Sequence, residues 1–173
     1  MNAAWQKRCS AMDEISCQSF YATMKAAGWN VRPASENEDK FQHIDYHISR
    51  NGKNLKIELK SQKRGTESNL FLIELLGITG QLGWLFGKAD LVCFDCGESG
   101  FLFVNRSKLY LKIREIFGFY VSKAGISFDK RTQVVDRPQD AIAPLIYRRS
   151  DRKLEAICYI SKDILLSCHE NII

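Results

Sequence analysis

Asp45, Glu58 and Lys60 are the residues of this chain whose types and spacing point to chemistry. Two carboxylates brought together suit a hard cation such as Mg²⁺, with Mn²⁺ as a substitute, because such ions take one or two carboxylates and complete their shell with water and phosphate oxygens. An ammonium beside them can orient or deprotonate an attacking water and offset charge on a pentavalent phosphorus. The chemistry is metal-assisted hydrolysis of a phosphodiester. The carbonyls of Ile57 and Leu59 are further candidate ligands. The same residue types also occur on ordinary solvated strands, where acids and lysines pair across the ladder for roughly 0.2–1 kcal/mol each.

Two strands must hold these groups. His43–Ser49 and Asn54–Ser61 alternate apolar and polar residues, and Asn51-Gly52 between them favours a tight hairpin turn. Ile44, Tyr46 and Ile48, with Leu55, Ile57 and Leu59, form the apolar face. Side chains alternate along a strand, so His43, Asp45 and His47 share the opposite face, as do Glu58, Lys60 and Gln62.

Asp45 followed by Glu58-Leu59-Lys60 resembles the D…(D/E)xK signature of the PD-(D/E)XK nuclease superfamily, which includes restriction enzymes, Holliday-junction resolvases and some homing endonucleases. The resemblance covers about Ser10 to Asp95, and Ile44 stands where the signature has proline. It implies an α/β fold: a restriction-endonuclease-like mixed β-sheet core flanked by helices. It also implies metal ligation by Asp45 and Glu58, a catalytic Lys60, and a Mg²⁺-dependent DNA endonuclease. The substrate would be double-stranded or branched DNA, cut by a homodimer because one centre cuts one strand. A homing or restriction type, a resolvase type, and a non-catalytic DNA-binding module on the same fold remain open. The small size suits a phage or mobile-element enzyme.

The rest of the chain reads as scaffold and contact surface. A helix is expected over about Ala3–Ala27, with Trp5, Cys9, Met12, Phe20 and Met24 on its apolar stripe and Gly28 at its end. The resemblance implies that an acid of the first helix can join the metal site; Asp13, at the edge of the apolar stripe, is the candidate rather than Glu14, or is a solvated first-turn acid. A short strand at Trp29–Arg32 and a polar linker, Pro33–Lys40, lead to the hairpin. Gln62, Lys63 and Arg64 leave the Lys60 strand, either to hold DNA phosphates or as a solvated turn. Leu70–Ile78 favours a strand, Gly77–Lys88 a loop with at most a short helix, and Ala89–Asp95 a buried strand. Phe101–Val104 pairs back, and Ser107 is placed to cap a helix to about Phe117.

Gly125–Ala143 reads as an extended loop. Pro144–Tyr147 and Leu154–Ile160 form a second hairpin around the basic turn Arg148–Lys153, whose Arg148 and Arg149 are DNA-contact candidates or solubilising charges. Ser161 is placed to cap a short final helix to Cys168. Cys93 and Cys96 with Cys168-His169 lack the spacing of a structural zinc site.

Composition bounds these readings. At 173 residues the chain suits a single nuclease-like domain, with its core at about 10–95 and a helix and hairpin at about 101–170. A hydrophobic share of 45% argues against disorder, and a net charge of +5 permits a polyanionic partner without requiring one. Six cysteines without a signal peptide fit free thiols in a reducing cytoplasm. No apolar run approaches the ~20 residues of a membrane span.

Overall fold

The structure is a computed structural model that describes residues 11–61, 70–77, 79–122, 125–128, 133–135, 145–149 and 152–172, with side chains left out at 11, 12, 133–135, 145–149 and 152–154. Its elements in chain order are α1 (Ala11–Ala26), β1 (Asn30–Pro33), α2 (Glu36–Gln42), β2 (Tyr46–Arg50), β3 (Lys53–Lys60), β4 (Leu70–Leu76), β5 (Leu91–Asp95), β6 (Phe101–Asn105) and α3 (Arg106–Phe117). Then follow β7 (Phe119–Ser122), β8 (Gly125–Phe128), β9 (Gln133–Val135), β10 (Leu145–Arg149), β11 (Arg152–Ser161) and α4 (Lys162–Leu166). The fold is mixed α/β, with a mixed sheet flanked by helices. No helix among the described residues is long and apolar enough to cross a membrane.

Two compact units divide the chain. The first holds the described residues within Met1–Glu67, Lys88–Val104 and His169–Ile173; the second those within Ser68–Gly87 and Asn105–Cys168. The chain passes between them more than once, so no linker-like stretch marks a boundary.

The first unit is built on a five-stranded sheet of order β1-β2-β3-β5-β6. β2 runs antiparallel to both β1 and β3, and β5 runs parallel to β3 with Leu59 beside Cys93 and Lys60 beside Phe94. The β2–β3 turn forms at Asn51 (φ 50°) and Gly52 (φ 78°), the positive-φ pair a two-residue hairpin loop requires. Phe20 and Met24 of α1 pack with Tyr46, Ile48, Ile57 and Cys93 on one face of this sheet. Burial of each large side chain there contributes about 1.5–3 kcal/mol. Phe20 anchors the contact, its ring 4.8 Å from Tyr46 and edge-on to Phe101 at 5.7 Å.

α1 ends as expected, with Gly28 left-handed (φ 80°) and the Trp29 and Gly28 N–H groups donating to the Met24 and Lys25 carbonyls. Trp29 Nε1 and Arg50 Nη2 both donate to the Ile172 carbonyl, at 3.1 Å each, which ties the chain's last described residues to this unit.

Pro33–Lys40 is not a linker. Ser35 caps α2, its side chain accepting from the Glu38 N–H while Glu38 reaches back to the Ser35 N–H, a reciprocal capping box. His43, expected on the first hairpin strand, closes this helix in the left-handed region (φ 53°).

The second unit carries a four-stranded sheet, β4-β11-β10-β9, and the two-stranded hairpin β7–β8. Leu70–Leu76 is a strand as expected, pairing antiparallel with β11. The α3 cap lies two residues earlier than expected: Asn105, not Ser107, accepts from the Lys108 N–H at 3.0 Å. Leu109 and Ile113 are buried, Ile116 only partly, and Phe117 closes the stripe.

Gly125–Ala143 is not one extended loop, because β8 and β9 lie within it. β8 pairs with β7, Phe128 opposite Phe119, and β9 runs parallel to β10. The second hairpin is present as β10 and β11, with strands longer than expected: Arg148 and Arg149 end β10, and Arg152 and Lys153 begin β11. The final helix is shorter than expected, and the Ser161 side chain makes no capping bond.

Candidate functional site

The β2–β3 register brings the two acids together. Tyr46 stands opposite Ile57 and His47 opposite Lys56, and Asp45 and Glu58 are the next residues beyond this paired end of the ladder. The Asp45 N–H donates to the carbonyl of Ile57, the residue that already pairs with Tyr46, at 2.8 Å, so the ladder becomes irregular at Asp45. That bond already engages the Ile57 carbonyl, leaving the Leu59 carbonyl as the better backbone candidate for a cation. The Asp45 carboxylate accepts the Leu59 N–H through Oδ2 at 2.6 Å, which orients it along β3.

Glu58 is buried, and its Oε1 lies 2.6 Å from Lys60 Nζ. The Lys60 side chain is 32% exposed against 5% for Glu58, so the ammonium forms the solvent side of the pair. Alternation sets Glu58 and Lys60 on the face opposite the α1 core, where Ile57 and Leu59 point.

The electrostatics follow from this crowding. Burial, then the neighbouring Glu58 charge, pushes the Asp45 carboxyl up to about 8, against the opposing pull of Lys60 and the Leu59 N–H. Asp39 of α2 adds a smaller push in the same direction. A carboxyl raised to about 8 is held protonated at neutral pH, so Glu58 and Lys60 balance in charge and a cation would take the place of the Asp45 proton. Oxygen donors in that arrangement fit a small divalent cation whose remaining positions go to water and phosphate. Among the described residues no group of three or more His, Cys, Asp or Glu could hold a metal ion by itself.

The other candidates are placed differently. Asp13 is taken up by Ser61, whose Oγ donates to Asp13 Oδ1 at 2.5 Å. His47 Nε2 lies 2.9 Å from Glu38 Oε1, and that carboxyl sits at about 2, lowered first by the Ser35 N–H and next by the Ser35 side chain. Cys93 is buried beneath the sheet, its thiol pushed well up by burial, so it is a poor ligand. Gln62, Lys63 and Arg64 lie outside the described residues. Arg148 and Arg149 lie in β10 of the second unit, with side chains outside the described ones.

Sequence reasoning did not single out Asp39 or Asp95. Asp39 follows directly on the capping box Ser35-Glu-Asn-Glu38, which was legible as a helix start. Asp95 carried no separate signal, because its role depends on which residue of α1 meets it.

No protein-family model, curated protein or solved structure matches the chain.

Proposed function

We propose that the chain is a metal-dependent DNA endonuclease of the PD-(D/E)XK kind, on a restriction-endonuclease-like fold. The observation that carries this reading is the set of three: Asp45 held by the Leu59 N–H within reach of the Glu58 charge, and Lys60 2.6 Å from Glu58 on the solvent side. Asp45 and Glu58 would hold Mg²⁺ or Mn²⁺, which when bound polarises the scissile phosphate and lowers the pKa of a water. Lys60 faces the side from which substrate arrives, placed to orient that water and to offset charge on the phosphorus. The Leu59 N–H holds one oxygen of Asp45, leaving the other for a cation.

The substrate class is double-stranded or branched DNA, drawn by the basic residues Lys63, Arg64, Arg148 and Arg149. A twofold dimer would supply the second centre that double-strand cleavage needs. One observation favours the alternative, a DNA-binding module without catalysis: the Glu58–Lys60 pair is closed on itself at 2.6 Å and needs no substrate to complete it.

The test is incubation of supercoiled, linear, branched and single-stranded DNA with the purified protein, in Mg²⁺ and in EDTA. Cleavage in Mg²⁺ that vanishes in EDTA and in Glu58→Gln is the expected result. DNA binding without cleavage in any metal would leave the module reading.

A further inference from the structure

The first turns of α1 grip the two strands beside the site with hydroxyl–carboxylate bonds. Ser61 Oγ donates to Asp13 Oδ1, and Ser16 Oγ donates to Asp95 Oδ2, both at 2.5 Å. Asp13 and Ser16 lie three apart on the helix, and Phe20 and Met24 continue their stripe into the apolar core. Ser61 directly follows Lys60, and Asp95 directly follows Phe94, the residue beside Lys60 in the parallel pair. Continued by one step, the register sets Ser61 beside Asp95. The two bonds therefore bind the ends of β3 and β5 to one helix face, where apolar packing has run out.

Ser61 points away from Glu58 and Lys60, since neighbouring residues on a strand face opposite sides. Asp13 and Ser61 thus touch neither substrate nor cation in this geometry. They act on Lys60 through the backbone. A lysine at the last position of β3 would otherwise ride on a fraying strand end, and its ammonium must stay within reach of the reacting water. Ser16 is buried and Asp95 also accepts the Gly97 N–H at 2.9 Å, so the second bond is anchored on both sides.

We propose that Asp13 and Ser61 form a positioning clamp that fixes the end of β3 and so holds Lys60 in its working place. This rests on the nuclease reading for its rate prediction, but the clamp can be read without turnover. Ser61→Ala and Asp13→Ala should lower the single-turnover cleavage rate roughly ten- to hundred-fold, the scale of a misplaced catalytic group. Metal affinity and DNA affinity should stay within about twofold. Ser61→Thr, which keeps the hydroxyl, should restore the rate.

The independent readout is the NMR signal of the Lys60 ε-methylene group. Its two protons are inequivalent while the ammonium is held against Glu58, and should merge in Ser61→Ala and separate again in Ser61→Thr. If the wild type cleaves nothing yet the Lys60 signal responds, the clamp stands and the nuclease reading fails. If Ser61→Ala leaves both the rate and the Lys60 signal as in wild type, or if Ser61→Thr rescues neither, the clamp is overturned. A loss of thermal stability alone, with the Lys60 signal unmoved in the folded variant, would also overturn it.

Discussion

Asp45→Asn should make the metal-free protein more stable at high pH and leave it nearly unchanged at low pH. Burial and then the Glu58 charge push the Asp45 carboxyl from 3.8 to about 8. Its folded-state pKa is thus above its unfolded one, so the neutral form is the one that favours folding. That contribution is fully present below about pH 4 and is lost as pH rises to about 8. Four units at ~1.4 kcal/mol each set a ceiling of about 6 kcal/mol on the loss. Asparagine carries no charge at any pH and keeps an acceptor for the Leu59 N–H, which reaches Asp45 at 2.6 Å.

Thermal melts in EDTA at pH 5 and pH 9 are the assay. At pH 5 the unfolded carboxyl is already ionised and about one of the four units is lost, so the variant should melt only slightly higher. At pH 9 a third of the ceiling, about 2 kcal/mol, would set the variant roughly 4–8 °C higher. Adding Mn²⁺ at pH 9 should then raise the wild-type Tm, by about 2.7 kcal/mol at a hundredfold excess over Kd, and leave the variant unmoved. A gap between the proteins that is the same at pH 5 and pH 9 would refute the idea of a carboxyl held against its charge.

Lys60→Ala should slow cleavage by roughly 10²–10⁴ while metal binding measured by calorimetry is kept; Glu74→Gln, on β4 of the second unit, should cleave nearly as wild type. Replacing Arg148 and Arg149 together by alanine should weaken DNA binding and flatten the log–log salt dependence, by about one unit of slope for each phosphate no longer neutralised. Titration of binding across salt concentrations reads this directly, and an unchanged slope would remove both residues from the DNA-binding surface. Glu38→Gln should lower the Tm at pH 7 and have little effect near pH 2. The Glu38 carboxyl is held at about 2, below its ordinary 4.5, so its stabilisation is present above 4.5 and is lost as pH falls to about 2.

What the sequence determined by itself is local. Strand alternation, with Asn51-Gly52 between, set the β2–β3 register and put Glu58 and Lys60 on one face, with Asp45 one residue beyond the paired end of β2. The stripe of Phe20 and Met24, the stop at Gly28 and the apolar run into β5 were legible for the same reason, a short-range period or a turn residue with one favoured backbone. The capping box at Ser35 and the cap at Asn105 were written there too, although Pro33–Lys40 resembled a linker and Ser107 a plausible cap.

Tertiary structure decided which distant residues meet. That β4 joins β11 rather than the β3 sheet depends on pairing partners 80 or more positions apart, which no local pattern encodes. β8 and β9 are strands because neighbouring backbone was available to pair, not because Gly125–Ala143 is apolar. The pKa of Asp45 is set by the water that burial removes and by a charge across the ladder. Asp13 looked like a candidate ligand on its helix, but the approach of Ser61 turned it into a strand anchor, because a carboxylate takes the donor that packing brings within reach.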